Sequence, residues 1–354
     1  MCSKKLKFYI RADANEIIGT GHIMRCLSIA QKLRLSGETV CFITSDNHSR
    51  QMIENNGFEV ICLNSVWNDL EQETDRLIEV INSQDIDVLL IDTYYVTSGY
   101  LSIIREHTRT VYIDDLHKFA YPVDMLINYN IYADKIDYLD IYKEKTVPKF
   151  VLGCQYVPLR EEFCDVTRNI GLNVNKILVT TGGTDNYNVS GNLIESFKMK
   201  KWFLDTDFYF VLGRFNRNVD MLKRLYGGYS NIHFLINIPD MDKYMKMCDI
   251  AITAGGSTTY ELCACGLPSI MYTLADNQIE MAKTVSEQKL IPWVGDVREN
   301  LNECLKGVNF YIESYRSDYE LRCRISEKMQ EVCDGQGCKR IVEIIKDDIK
   351  NAVS

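Results

Sequence analysis

Three times in this chain an apolar run breaks at glycine and an amphipathic segment opens behind it. The first is Lys7-Phe8-Tyr9-Ile10-Arg11-Ala12-Asp13, followed after a short polar stretch by Gly19-Thr20-Gly21-His22-Ile23-Met24-Arg25-Cys26-Leu27. The run reads as a buried strand, whereas Ile23, Leu27, Ala30 and Leu33 recur at the spacing of one helix face. Strand, glycine turn and helix make a βα unit. Repeated βα units build a mostly parallel sheet covered by helices on both faces, which leaves few folds open.

Two series of such units follow one another. In the first, strands are expected at 7–10, 39–44, 59–63, 88–92, 110–114 and 125–128, with helices at 21–35, 48–56, 71–83 and 98–107. In the second, strands are expected at 177–180, 208–212, 232–236, 250–254, 269–272 and 291–293. Its helices fall at 188–198, 216–226, 241–248, 259–265 and 277–287, before a charged helical stretch from about 317 to 350 that breaks at Asp334-Gly335-Gln336-Gly337. Residues 165–175 are polar, carry Gly171 and lack periodicity, which marks a linker. The expected organisation is an N-terminal Rossmann-like domain over 1–168, a second over 169–316 and a helical extension over 317–354. The fold class is α/β, with two Rossmann-like domains facing across a cleft.

Bulk properties narrow the partners. At 354 residues the chain exceeds one ordinary core, and its formal charge of −9 argues against a general nucleic-acid binder. Its 13 cysteines are odd in number and scattered from Cys2 to Cys338. Cys263 and Cys265 form a C-x-C rather than paired C-x-x-C knuckles, so reduced thiols are expected in place of disulfides or zinc. Met1-Cys2-Ser3-Lys4-Lys5 passes at once into the first strand without a leader pattern, and no apolar run is long enough to span a bilayer. A cytoplasmic monomer is expected, with no metal, cofactor, nucleic acid or membrane partner.

The glycine turns carry the chemistry. Gly19 and Gly21 let backbone approach a ligand, and the first amides of a helix are unpaired donors at its positive end. His22 stands on that first turn as a base beside an anion site, or else packs as an ordinary turn residue. Asp13 closes the preceding strand and is expected to orient His22 or a water, or to bond its own turn. Arg25 follows almost one turn on, where it assists a pyrophosphate or forms an ion pair. The second turn is Ala254-Gly255-Gly256-Ser257-Thr258-Thr259-Tyr260-Glu261. Bare amides with two hydroxyls suit a diphosphate, and Glu261 suits a ribose; a Ser257 or Thr258 cap boxed by Glu261 is the alternative. The third, Thr181-Gly182-Gly183-Thr184-Asp185, lacks the lysine of a P-loop. Neither half carries a dinucleotide fingerprint. Asn277 and Gln278 open a further helix, where their amides bond sugar hydroxyls or cap.

Further phrases join these in order: Ile91-Asp92-Thr93-Tyr94, Asp114-Asp115 and Pro158-Leu159-Arg160-Glu161-Glu162-Phe163. With them the chain resembles, over about residues 7 to 290, the UDP-2,4-diacetamido-2,4,6-trideoxy-β-L-altropyranose hydrolases of pseudaminic acid biosynthesis. The resemblance implies a glycosyltransferase-B fold, with the nucleotide held by the C-terminal half and the sugar in the cleft. It implies metal-free removal of UDP by water at the anomeric carbon with inversion. The family's base falls on His22 and its nucleotide-binding glutamate on Glu261. Tyr94, Arg160, Gly183, Thr184 and Asp185 fall on its substrate-binding phrases. Thr93 departs from the histidine that relatives commonly carry before the tyrosine. A UDP-sugar glycosyltransferase, a hydrolysing 2-epimerase and a non-catalytic nucleotide-sugar binder remain open alternatives.

Overall fold

A computed structural model of the chain describes residues 5–213 and 216–353. The opening residues, from which the lack of a leader was read, lie outside the described ones. The chain divides into two compact units: residues up to Glu161 together with those from Gln336 onward, and Glu162–Gly335.

In the first unit the order is β1 (Lys7–Ala12), α1 (Gly21–Leu35), β2 (Thr39–Thr44), α2 (Arg50–Asn55), β3 (Glu59–Cys62), α3 (Thr74–Gln84), β4 (Val88–Asp92), α4 (Ser98–Arg105), β5 (Arg109–Ile113), β6 (Met125–Asn128), α5 (Tyr138–Ile141) and β7 (Lys149–Leu152). The seven strands pair in parallel in the order β3-β2-β1-β4-β5-β6-β7. Strand β4 is buried throughout. Burial on both faces is why the central strands read as continuous apolar runs and not as alternating ones.

The second unit runs β8 (Lys176–Thr180), α6 (Val189–Lys198), β9 (Asp207–Leu212), α7 (Val219–Tyr226), β10 (Ile232–Ile236), α8 (Met241–Met247), β11 (Ile250–Ala254), α9 (Thr258–Ala264), β12 (Ser269–Thr273), α10 (Ile279–Glu287), β13 (Trp293–Asp296), α11 (Val297–Ser317) and α12 (Tyr319–Val332). Its sheet, β10-β9-β8-β11-β12-β13, repeats the strand order of the first. The core includes Phe208 stacked with Phe197 at 5.1 Å and with Phe203 at 5.6 Å. In both sheets the strand order reverses beside the first strand, between β1 and β4 and between β8 and β11. Loops diverge there and leave the crevice in which open α/β sheets hold ligands.

Helix α13 (Gly337–Val353) returns to the first unit, where Ile341, Val342 and Ile345 are buried. Its Asp348 takes Arg109 and Lys149, and its Lys346 reaches Glu38. The expected extension over 317–354 is therefore not one element: α12 belongs to the second unit and α13 to the first. Nor is 165–175 a free linker. Arg168 donates to the carbonyls of Met245, Lys246 and Cys248, and Arg322 donates to those of Gly171 and Leu172. Two guanidiniums pin the segment, so the division falls at Glu161 and not at 168. Strand β7, a four-residue edge strand behind Pro148, and helix α11 were not expected. Every cysteine among the described residues is a free thiol, and no described helix is long and apolar enough to cross a membrane.

Candidate active site

Glycine sets up the first turn. Gly19 has φ +70°, a conformation costly for residues with a Cβ, and its amide closes back on the Asn15 carbonyl at 2.9 Å. The Asn15 side chain accepts from the amides of Ile17 and Ile18, so the loop is folded on itself before α1 begins. Thr20 precedes α1 without a side-chain cap, which leaves the helix start uncapped on that side. His22 follows as the second residue of α1 and is buried.

The imidazole has a partner seventy positions along the chain. His22 Nδ1 lies 2.6 Å from Oδ1 of Asp92, the last residue of β4 and wholly buried. Arg25 grips the same carboxylate side-on, its Nε donating to Oδ2 at 2.6 Å and its Nη2 to Oδ1. Burial pushes the Asp92 carboxyl up, but Arg25 and His22 outweigh it and hold the group well below the usual carboxylate range. An ionised carboxylate only accepts, so the proton between the two groups belongs to Nδ1. In the neutral ring Nε2 then keeps its lone pair. The Tyr94 ring stands edge-on to the imidazole, with centroids 4.5 Å apart. Burial, with Asp115 behind it, raises the Tyr94 phenol to about 12.

Two expected roles change. Asp13 does not orient His22: its Oδ1 accepts from the Ser45 amide and hydroxyl at 2.8 and 2.9 Å, and its Oδ2 is paired with Arg11. Arg11, wholly buried, also forks onto Glu73 at 2.7 and 2.8 Å, and Glu73 in turn accepts from Ser65 and Tyr100. This buried strut ties the exit of β1 to the exits of β2 and β3. Arg25 is not a free pyrophosphate clamp either. Besides Asp92 it engages Asp115 at 2.8 Å and the Tyr129 hydroxyl. Burial opposes its charge, but Asp115 and Asp92 raise its pKa well above the ordinary value. Asp92 and Asp115 stand in the phrases that carry the resemblance but gained no role from sequence reasoning, and Tyr129 was missed altogether. One signal for Asp92 was available: a lone carboxylate closing the otherwise apolar run Val88-Leu89-Leu90-Ile91.

The Asp92 pairing has a pH signature. An unfolded aspartate titrates near pH ~3.9, and the folded group lies well below that. The unfolded state therefore takes up the proton first as pH falls. Asp92's contribution is whole above pH ~4 and is lost progressively below it, toward the folded value. The stability gap between wild type and Asp92→Asn in urea denaturation is expected to be widest near pH ~6 and to narrow steadily from pH ~4 to ~2.5. A gap that stays constant over that range contradicts the pairing.

In the second unit both glycine turns follow the strands at the point of reversal, β8 and β11. In the Gly255–Thr258 turn the Gly255 amide is bonded to the Tyr272 carbonyl at 2.9 Å, whereas a Cβ on Gly256 would meet open space. Ser257 makes no side-chain cap bond to α9. Glu261 is half-buried in the same helix. A Cβ on Gly255 would lie 3.2 Å from Cβ of Gln278, which places that segment beside the turn. Gln278 Oε1 already accepts from the Leu274 amide at 2.9 Å, and Asn277 is exposed.

The other turn exposes Gly182, Gly183 and Thr184 but draws Asp185 inward. Its carboxylate accepts from the amides of Val189 at 2.6 Å and Ser190 at 3.1 Å and so closes the start of α6. Gly213 packs on this turn so closely that a Cβ would come within 2.5 Å of Gly183 Cα. Arg160 lies at the end of the first unit and is half-buried. No group of three or more His, Cys, Asp or Glu among the described residues has the arrangement to hold a metal.

Residues 177–310 match the glycosyltransferase family 28 C-terminal domain. The chain is 26% identical over 355 residues to the uncharacterized protein MJ1062 of Methanocaldococcus jannaschii, covering 96% of this chain and 68% of that one. It is 24% identical over 347 residues to the spore coat polysaccharide biosynthesis protein SpsG of Bacillus subtilis, covering 96% and 97%. It is also 24% identical over 258 residues to the UDP-2,4-diacetamido-2,4,6-trideoxy-β-L-altropyranose hydrolase of Campylobacter jejuni, covering 72% and 87%. Among solved structures, MurG of Acinetobacter baumannii superposes with a TM-score of 0.70 at 13% identity, over 96% of this chain and 99% of that one. The fold is that of the glycosyltransferase-B class.

Proposed function

We propose that this protein hydrolyses a UDP-sugar at the anomeric carbon, with inversion, releasing UDP and the free sugar. The observation that carries the reading is the 2.6 Å contact between His22 Nδ1 and the buried Asp92, which commits Nε2 to taking a proton. Water bonded to Nε2 attacks C1 as the bond from C1 to the phosphate oxygen breaks. One water proton passes to Nε2, and the bonding electrons leave with UDP. Asp92 and the paired charges behind it stabilise the imidazolium as it forms. Diphosphate is a good leaving group and needs charge stabilisation more than a proton. The reading assigns that task to the Gly256–Thr258 stretch, where hydroxyls and helix-start amides lie together. Glu261 is assigned the ribose. The likeness to the named hydrolase supports the substrate class: a UDP-linked diacetamido-trideoxyhexose or a near relative.

Incubation with candidate UDP-sugars and no acceptor tests the reaction. Stoichiometric UDP and free sugar of inverted configuration, followed by proton NMR, are expected. The match to a glycosyltransferase domain favours a second reading, in which the same base deprotonates an acceptor alcohol. UDP release that needs an added alcohol, with the sugar recovered on that alcohol, establishes it instead. A change of configuration at C2 identifies epimerisation.

The nucleotide assignment has its own test. A carboxylate that accepts both ribose hydroxyls makes two charge-assisted bonds, each contributing on the order of 1.5 kcal/mol or more. Glu261→Ala is therefore expected to weaken UDP binding by about tenfold or more in calorimetry. Unchanged affinity in a folded variant removes the ribose role.

A further inference from the structure

Asp115 has no role of its own in the scheme above, yet it is the second carboxylate on the same guanidinium. It follows β5 in the pair Asp114-Asp115, and the two side chains do different work. Asp114 is buried and accepts from the amides of Leu116 and His117 at 2.8 Å each and from the Tyr138 hydroxyl at 2.7 Å. That fixes the turn and leaves Asp115 to reach Arg25 Nη2 at 2.8 Å and Asn130 Nδ2 at 3.3 Å.

Arg25 alone would be a liability to the base. It forks onto Asp92, and one guanidinium against one carboxylate leaves little net negative charge to receive an imidazolium. Asp115 restores that charge. With His22 neutral, Asp92, Asp115 and Arg25 sum to one net negative charge; with His22 protonated, the four groups sum to zero.

Three further titratable side chains face these groups directly. From α1, Cys26 Sγ lies 3.4 Å from Asp92 Oδ2, with Cys338 of α13 near it. From the exits of β4 and β6 come Tyr94, which itself faces Tyr132, and Tyr129. Burial pushes Cys26 and Tyr129 upward and Tyr94 to about 12, so these three stay neutral.

We infer that Asp115 is a positioning residue for the base: it offsets Arg25 so that the His22–Asp92 pair keeps its affinity for a proton. The inference rests on His22 being the base of the proposed reaction. Removing the Asp115 charge makes the imidazole harder to protonate and therefore a weaker base.

The test is a pH titration of the His22 ring by NMR in the full-length protein, its signal assigned with His22→Asn and free of any substrate. In Asp115→Asn the His22 midpoint is expected to move to lower pH by about one unit, the usual size for a nearby charge. Asp115→Glu, which keeps the charge, is expected to stay within about 0.3 of a unit of wild type. Asp115→Ser serves as a second neutral variant should the asparagine protein not fold. With an active UDP-sugar, the acid limb of kcat/KM is expected to follow the same displacement while UDP affinity stays unchanged. An unmoved midpoint in the neutral variants overturns the inference, and so does an equal movement in Asp115→Glu. The titration needs no turnover, so failure to hydrolyse any UDP-sugar counts against the proposed function and leaves the Asp115 result standing.

Discussion

Replacing His22 with leucine is expected to leave a folded protein that still binds UDP but releases it from a UDP-sugar at least about a hundredfold more slowly, the scale on which a general base contributes. Leucine fills a similar volume in a buried position, so packing largely survives. What is lost is Nε2 and the proton it accepts. Asp92→Asn is expected to cost as much or more while keeping the shape. An asparagine that turns its Nδ2–H toward Nδ1 selects the other tautomer and puts a proton on the nitrogen meant to receive one. It also strips Arg25 of half its counter-charge. The two residues act as one unit, so the double variant is expected to be no slower than the slower single variant. Single-turnover measurement of UDP release decides it. A folded His22→Leu protein with near wild-type turnover would falsify the assignment of the base.

The second large effect concerns stability. Glu73→Ala is expected to destabilise the first unit by about 3–5 kcal/mol, because it leaves the Arg11 guanidinium buried with half its partners gone. Ser65 and Tyr100 lose an acceptor in the same step. Domains commonly hold only about 5–15 kcal/mol in total, so the loss is a large part of what is available. Arg11→Met with Glu73→Leu removes both charges and is expected to recover most of the loss, although the Asp13 carboxylate then keeps only Ser45. Thermal unfolding followed by circular dichroism separates the outcomes. A Glu73→Ala midpoint within about 2 °C of wild type means that the strut does not stabilise the unit.

What the sequence made legible and what it hid divide along a physical line. Periodicity and glycine placement report on local backbone, and they located most of the strands and His22 at the start of α1. Side-chain partnership across the sheet leaves no local trace. Asp13 is near His22 in sequence, yet Arg11 and Ser45 claim it, whereas Asp92 arrives from the neighbouring strand. Arg25 left a pyrophosphate role and an ion pair equally open, because its three partners lie at the end of β4 and just after β5 and β6. The same limit explains the linker: nothing in the aperiodic run 165–175 announces that Arg322 binds its carbonyls from α12. Asp185 entered through the resemblance, and nothing local to Gly182-Gly183-Thr184 announces that its carboxylate closes the start of α6. Strand β7 is too short, and too close to proline, to stand out.

Helix α13 packs against α1, the helix that carries His22, yet it is encoded after the entire second unit. During synthesis the ribosome delivers the first sheet and α1 long before the helix that packs on α1. Until then the face of α1 that receives α13, the helix in which Ile341, Val342 and Ile345 are buried, stays wet. The base is therefore held in a finished environment only once translation has passed α13, and a nascent or prematurely stopped chain carries His22 on an incomplete scaffold.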